Sequence, residues 1–333
     1  MNGTVLITGA NGSLALGFAQ SFLSLYPEHT LIATVRNPSP EKDPNTARLI
    51  QLVSNYPNAN VHIEALDLSS LSNVRSFAEK LSTRIRIREL PRLTALICNA
   101  ASISLGSGQK FTSDGYETTF QVSHLSHYLL VLRLLESMDV HSGRIVMLGS
   151  ITHYPEKPNP LYSLKTRIPD DIEELVKPGP DPPSLIYDRG FQRYGIAKLS
   201  NVTFANDLNK RLKKDPKLSN VSVMSMDPGG LPSSRGQVEQ KRSVRFIFAV
   251  ISFLMPVLKH LTTDFRTTED SGRDLVAVSL DPMFHGKGGY FVGQIQGSPA
   301  AVSEDLESQK RLWDACWRWA RLHDEETILR DCF

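Results

Sequence analysis

The chain has 333 residues, 41% hydrophobic and 22% charged, a composition typical of a globular protein that can bury a large core. Its 37 lysines and arginines nearly balance 35 acids, for a net charge of +2, so charge gives no reason to expect nucleic acid or an anionic membrane as the main partner. The three cysteines lack metal-ligand spacing and no secretory leader precedes the first strand pattern. We therefore expect no metal site and a reducing, cytoplasmic setting.

A glycine-containing turn follows the first predicted strand. Residues 4–7 are apolar and partly β-branched, residues 8–13 read Thr-Gly-Ala-Asn-Gly-Ser, and apolar side chains at helical spacing follow from Leu14. The free amides at the start of such a helix can hold a pyrophosphate. An ordinary strand-to-helix turn would show the same pattern, so both interpretations stay open at this point.

The next three predicted strands also end in polar residues. Residues 30–35 lead to Arg36, residues 61–66 to Asp67, and residues 93–98 to Asn99. Four strands alternating with helices predict parallel pairing through right-handed crossovers, with ligands at the carboxyl ends of the strands. At the end of the second strand an arginine suits a 2′-phosphate and a carboxylate suits a free hydroxyl, so Arg36 favours NADP over NAD.

A fifth strand at residues 144–148 ends beside Ser150, after an apolar helix predicted at residues 117–136. Three histidines in this region (His124, His127 and His153) are interpreted as residues with local hydrogen bonds. Residues 151–190 are rich in proline and predict an insertion or lid beside the site.

A helix is predicted at residues 191–213 with Tyr194 near its start. Tyr194 and Lys198 are four positions apart and therefore share one face of the helix. A tyrosine must lose about 3 units of pKa to exchange a proton near neutrality, and a neighbouring cation can supply this shift. Alone the pattern is common, and its interpretation depends on the strand ends described above.

A sixth strand at residues 221–226 ends at Asp227-Pro228-Gly229. Residues 229–268 are assigned to a substrate-binding loop and contain the apolar run 246–258, which is too short to span a bilayer. We expect this run to pack on the core, to form the apolar wall of a substrate pocket, or both, and peripheral membrane contact is compatible with it. A further helix near residues 268–280, a strand at residues 289–292 and a closing helix at residues 304–321 complete the chain.

Together these landmarks resemble the short-chain dehydrogenase/reductase superfamily over essentially the whole chain. They are Thr8-Gly9, Asp67-Leu68, Asn99-Ala100-Ala101, Ser150, Tyr194-x-x-x-Lys198 and Pro228-Gly229. The segment Arg-Gly-Phe-Gln-Arg-Tyr at residues 189–194 is similar to reductases of fungal secondary metabolism, and a more distant similarity is to retinol and 3-ketosteroid reductases. The resemblance implies one α/β domain over residues 1–333, a three-layer, doubly wound, mostly parallel sheet of Rossmann type.

The resemblance also implies residue roles. Tyr194 would be the acid or base at the substrate oxygen, Lys198 would lower its pKa and bind the nicotinamide ribose, and Ser150 would donate to the carbonyl. The cofactor-binding set adds the residues of the first turn, the strand ends and the segment after the sixth strand: Gly9, Asn11, Ser13, Leu14, Arg36, Asp67, Leu68, Asn99, Pro228, Gly229, Leu231 and Ser233.

The sequence departs from the family pattern at several positions. Ser13 and Ala15 stand where the family has glycines, and a Cβ at position 13 narrows the space for a phosphate or reshapes the turn. Ser123 stands where the family has the asparagine of its proton relay. The interval from Ser150 to Tyr194 is also longer than the family's usual spacing, which suggests that the insertion forms a specificity lid or covers an oligomer face.

Three functions follow from these residues. The leading hypothesis is an NADP-dependent ketoreductase or alcohol dehydrogenase acting on a bulky, lipophilic ketone or alcohol, with a homodimer as a candidate assembly. The altered turn and Ser123 instead suggest a repurposed site for cyclisation or isomerisation without net redox chemistry. The third is a cofactor-sensing protein without catalysis, against which the intact Tyr194 and Lys198 count.

Overall fold

The computed structural model describes residues 3–157, 159–258 and 264–329. In this part of the chain eight strands form one sheet in the order β3-β2-β1-β4-β5-β6-β7-β8, and each pairs in parallel except β8, which pairs antiparallel with β7. The strands are β1 (Thr4–Thr8), β2 (Thr30–Val35), β3 (Asn60–Ala65), β4 (Leu93–Cys98), β5 (Arg144–Leu148), β6 (Ser222–Asp227), β7 (Gly289–Val292) and β8 (Ile295–Gln296). The order reverses between β1 and β4, the switch point at which such sheets bind ligands.

Helices cover both faces of the sheet. They are α1 (Ser13–Leu25), α2 (Pro44–Ser54), α3 (Leu71–Arg86), the short α4 (Thr118–Phe120), α5 (Ser126–Leu134), α6 (Ile186–Lys214), α7 (Arg242–Leu258), α8 (Thr268–Leu280) and α9 (Leu306–Trp319). A π-helical turn, Gln121–Leu125, joins α4 to α5. Among these helices none is both long enough and apolar enough to cross a bilayer.

Strands β1, β2, β4, β5 and β6 are almost entirely buried, because successive side chains point to opposite faces of the sheet and helices cover both faces. In β1, Val5 and Ile7 pack into the core that α1 and α8 cover, whereas Leu6 packs into the core that α3, α5 and α6 cover. The sheet is the middle layer between two layers of helices, with one apolar core on each of its faces, which confirms the predicted doubly wound fold.

Helix α6 begins at Ile186, so the predicted start at residue 191 is wrong by five residues, and the last part of the proposed insertion is helical. Gly190 does not interrupt the helix. It permits close packing, because a Cβ there would lie 2.3 Å from the carbonyl oxygen of Ser104. Tyr194 consequently lies two turns inside the helix, where its backbone position is fixed from both sides.

The apolar run after β6 forms α7, but it does not pack into the core. Met255 is the buried residue of this helix, and Phe246 and Phe253 are 71% and 83% exposed. None of its residues belongs to the wall of the cavity described below. The expected core packing is therefore wrong, and the exposed face calls for another explanation.

Candidate active site

A cavity of about 700 Å³ runs along the carboxyl edge of the sheet. It brings together residues from the ends of six strands. The sequence-predicted residues in its wall are Gly9, Asn11, Ser13, Leu14, Arg36, Asp67, Leu68, Asn99, Tyr194, Lys198, Pro228 and Leu231. One continuous space therefore connects the end of β2 with the face of α6 that carries Tyr194.

The first turn fits a phosphate group. Gly9 has φ +64° and lies so close to the next strand that a Cβ would meet Ala100 Cα at 3.0 Å, which only glycine accommodates easily. Gly12 is the residue before α1, and no side chain there accepts a hydrogen bond from the first backbone amides of the helix. The first amides of α1 thus lack a side-chain acceptor and face the cavity edge, the arrangement that binds anions at helix N-termini.

Two polar residues of this turn hold neighbouring segments in place. The Asn11 amide donates to Asp43 Oδ2 at 2.9 Å and to Thr46 Oγ1 at 3.0 Å, which ties the turn to the start of α2. Ser13 Oγ accepts from the backbone N–H of Arg235 at 3.1 Å. This second bond brings the segment after β6 over the turn.

The β1 and β4 ends are fixed to each other. Asn99 Nδ2 donates to the carbonyl oxygen of Thr8 at 2.8 Å, and Thr8 Oγ1 accepts from the backbone N–H groups of Asn99 and Ala100, both at 3.0 Å. The Asn99 side chain thus shapes the floor of the cavity rather than pointing freely into it.

At the other end of the cavity, Arg36 is exposed at the end of β2. Asp67 Oδ1 accepts from the N–H and hydroxyl of Ser69 at 2.9 and 2.7 Å, and Leu68 beside it is buried. Lys42 and Arg235 also line the cavity. Sequence reasoning missed these two cations because they lie in loops that only the folded chain brings to the site.

Tyr194, Ser150 and Lys198 meet at the β5 end of the cavity. Ser150 lies close enough to Tyr194 for its side chain to lower the pKa of the phenol, and it directly follows Gly149, which is part of the cavity wall. Lys198 is 2% exposed; its ammonium donates to the carbonyl oxygen of Leu148 at 2.9 Å and lies 5.5 Å from the centre of the Tyr194 ring. The phenol and the ammonium therefore share one pocket, as the helical spacing predicted.

The protonation of this pair differs from the sequence expectation. Burial raises the pKa of Tyr194, the Asp227 carboxylate raises it further, and the Ser150 side chain opposes both. Burial lowers the pKa of Lys198 to about 8, partly offset by Asp227. As the site stands it favours a neutral phenol, which is a proton donor.

Asp227 is a buried acid that the sequence did not single out. Its carboxylate accepts from the N–H of Gly229 at 2.8 Å and from the Tyr290 hydroxyl at 3.1 Å, and burial raises its pKa. Its position directly before Pro228-Gly229, at the end of a buried strand, was the available signal. Gly229 and Ser233 are outside the cavity wall, whereas Pro228 and Leu231 are part of it.

Ser123 lies in the π-helical turn and is not part of the cavity wall. It is fully buried, and its hydroxyl accepts from the backbone N–H of Ser102 at 3.0 Å. The Ser123 hydroxyl thus links the π-helical turn to the segment after β4, and its part in a proton relay stays a prediction.

The three histidines are buried and hydrogen-bonded, in agreement with their interpretation from sequence. Burial lowers the pKa of His124 to about 4, that of His127 to about 3 and that of His153 to about 4. His153 Nδ1 donates to the carbonyl oxygen of Ser150 at 2.7 Å, and its Nε2 accepts from the N–H of Ala300 at 3.2 Å. It thereby fixes the backbone that carries Ser150.

Comparison with known proteins agrees with this geometry. A family model described as short chain dehydrogenase matches residues 3–163, and one described as AcuH dehydrogenase domain matches residues 236–329. The short-chain dehydrogenase iccH of Talaromyces variabilis is 32% identical, with 98% of each chain covered. This chain belongs to the short-chain dehydrogenase family. It is an oxidoreductase of that family, and the predicted resemblance, including that to fungal relatives, is confirmed.

Other relatives agree on the family and the fold. The WW domain-containing oxidoreductase of Danio rerio is 29% identical over 93% of this chain, which spans 66% of that relative. An angucycline C-6 ketoreductase with bound NADP superposes with a TM-score of 0.59 at 14% identity, covering 87% of this chain and 93% of the other. An NADPH-bound carbonyl reductase from chicken liver gives a TM-score of 0.55 at 17% identity, covering 90% and 99%. These structural likenesses show a shared fold.

Proposed function

We propose that the protein is an NADP-dependent ketoreductase or alcohol dehydrogenase that acts on a bulky, lipophilic ketone or alcohol of secondary metabolism. The observation that carries this proposal is the single cavity that joins Arg36 at one end to Tyr194 and Lys198 at the other. A dinucleotide has its 2′-phosphate and its nicotinamide at opposite ends, and the cavity offers a cation for the first and a proton donor for the second.

The residues present fit a nicotinamide dinucleotide. The left-handed Gly9 and the uncapped start of α1 suit the pyrophosphate, and Asp67 and Leu68 would hold the adenine. Arg36, supported by Lys42 and Arg235, would bind the 2′-phosphate. When bound, the nicotinamide supplies or accepts the hydride.

The residues of this chain would supply the proton and the orientation. The Ser150 hydroxyl would donate to the carbonyl oxygen and Tyr194 Oη would transfer its proton there as the oxygen gains charge. Lys198 would hold the nicotinamide ribose and offset the charge of the phenolate that remains. The raised pKa of Tyr194 keeps the phenol protonated before reaction, which favours carbonyl reduction.

The substrate would lie between the cavity and two neighbouring segments. Val122, Leu148 and Leu231 give the wall near Tyr194 an apolar surface, and the insertion approaches the same point through Tyr162, which stacks on Phe191 at 4.7 Å. We assign the insertion of residues 151–190 and the loop of residues 229–268 to substrate selection. A small lipophilic molecule is thus the proposed partner, and a second copy of the chain is a candidate one.

The test is consumption of NADPH with a panel of lipophilic ketones, with the alcohol products identified. Tyr194→Phe should lower kcat by at least about a hundredfold, the range of a lost general acid, while NADPH binding is retained. Tyr187→Phe is the matched control on the same helix, because its hydroxyl bonds to Gln240 outside the cavity wall. Turnover by Tyr194→Phe at the rate of the unmodified protein would contradict the mechanism.

The same assay separates the alternatives. Product formation without net NADPH oxidation would indicate cyclisation or isomerisation. Tight NADPH binding without turnover of any substrate would indicate a sensor. The intact set of Tyr194, Ser150 and Lys198 favours the reductase.

A further inference from the structure

Helix α7 presents a stripe of large apolar side chains to solvent. Its members are Phe246, Ile247, Val250, Phe253, Leu254 and Val257, all exposed. At about 100° per residue these six fall within an arc of about 120°, and Met255, the buried residue, lies opposite that arc. Exposed apolar surface of this extent marks an interaction site.

The charged residues of α7, and Lys241 directly before it, are all positive. Lys241, Arg242 and Arg245 are exposed at the start of α7, and residues 240–258 contain no Asp or Glu. The net charge of +2 gave no reason to expect an anionic partner, because it averages this local cluster with acids elsewhere. A helix with an apolar face and a cationic end is suited to bind a membrane that contains anionic lipids.

The charge pattern disfavours a second copy as the occupant. Two α7 helices packed about a two-fold axis bury the same patch on both sides. Since the patch carries arginines and no acid, neither copy offers a carboxylate from this helix to the other's cations. The headgroups of anionic lipids supply the negative charges that pair with these arginines.

The position of α7 connects it to the cavity. Ser234, Arg235 and Gly236 line the cavity, and the helix begins six residues later at Arg242. Phe248, on the side away from the stripe, contacts Phe265 with ring centres 6.5 Å apart. The helix is therefore held beside the cavity while its apolar stripe faces outward.

We propose that α7 docks the protein on anionic membranes, lying in the headgroup region with its apolar stripe inserted and its arginines on the lipid phosphates. The docking proposal depends only on the exposed stripe and the cations of α7. Its consequence, that a lipophilic substrate reaches the cavity from the bilayer, rests on the proposed function.

The test is flotation of the full chain with vesicles of phosphatidylcholine alone or mixed with phosphatidylserine, without cofactor or substrate. We expect flotation with the phosphatidylserine vesicles and its loss at high salt. Phe253→Glu should lower vesicle binding by at least about tenfold, since a buried phenyl group contributes that much or more. Arg242→Glu combined with Arg245→Glu should reduce binding to anionic vesicles by a similar factor.

Ile87→Glu is the matched control, because Ile87 is 63% exposed at another surface, and it should float like the unmodified protein. Circular dichroism verifies that each variant is folded. The proposal is overturned if the unmodified protein floats with neither vesicle, if it binds both equally at any salt concentration, or if sedimentation shows a dimer that Phe253→Glu dissociates. Vesicle binding needs no turnover, so its failure is distinguishable from failure of the reductase assay.

Discussion

Ser13 and Arg235 are 222 positions apart, and the hydroxyl oxygen of the first accepts the backbone N–H of the second at 3.1 Å. The serine stands where the family has a glycine. Its oxygen links the turn between β1 and α1 to the segment after β6, which also contributes Ser234 and Gly236 to the cavity. The departure from the family pattern therefore has a structural role.

Ser13→Ala should release this link and let NADPH leave faster. A hydrogen bond of this kind contributes about 1 kcal/mol net, so we expect the dissociation rate constant to rise about fivefold. Stopped-flow displacement of NADPH measures it. Ser24→Ala, at an exposed position of the same helix, is the control, and an unchanged rate in Ser13→Ala would show that the link does not retain the cofactor.

Arg36→Ala should weaken NADPH binding at least about tenfold and leave NADH binding nearly unchanged. The reason is that a hydrogen bond to a charged group contributes about 1.5 to 3 kcal/mol, and only NADPH carries the 2′-phosphate. Titration of both cofactors measures the ratio. Arg48→Ala, exposed on α2 and outside the cavity wall, should change neither affinity. Equal losses for NADPH and NADH would contradict the assignment.

Asp227→Asn should move the alkaline limit of ketone reduction to lower pH. The carboxylate raises the pKa of both Tyr194 and Lys198, and reduction needs both protonated. Removing the negative charge lowers both pKa values, so activity is lost earlier as pH rises. We expect a shift of about one unit in the profile of kcat.

Tyr290→Phe is the companion variant, because it removes the hydroxyl that donates to Asp227 but keeps the carboxylate. Its alkaline limit should move much less than that of Asp227→Asn. A shift of Asp227→Asn toward higher pH would show that the charge acts in another way.

The buried histidines should make the fold sensitive to mild acid. His124 has a pKa of about 4 in the folded protein, against 6.5 unfolded, so the unfolded state binds more protons between these values. Above pH 6.5 this histidine does not make the free energy of unfolding depend on pH. As pH falls from 6.5 to about 4, it lowers the free energy of unfolding by about 1.4 kcal/mol per pH unit.

Urea unfolding at several pH values measures this slope. His124→Gln should reduce the dependence of the unfolding free energy on pH by that amount, and His141→Gln, at an exposed site, should leave it unchanged. An unaltered slope in His124→Gln would mean that this histidine is already charged in the folded state.

Much of the fold and of the cavity could be predicted because parallel strands end at one edge of a sheet. The alternation of apolar strands and helices predicts that Gly9, Asp67 and Asn99 lie together at that edge. The helical spacing of Tyr194 and Lys198 placed both side chains on one face. These inferences need only local periodicity and the handedness of crossovers.

Other features depend on contacts that no local pattern encodes. The bond between Ser13 and Arg235 and the charge of Asp227 beside Lys198 arise only when distant segments pack. Helix α7 has the apolar composition of a buried segment. Composition alone does not show whether another part of the chain packs against the helix, and therefore it could not predict that α7 is exposed. Gly190 resembles a helix breaker by residue type, yet it serves close packing inside α6.

The most direct test of the central claim is the transfer of deuterium to a lipophilic ketone from NADPH that is deuterated at both C4 positions, [4,4-²H₂]NADPH. We predict deuterium at the carbinol carbon of the alcohol product from the unmodified protein, and its loss in Tyr194→Phe with NADPH binding retained. A product that forms without deuterium would contradict hydride transfer at this site.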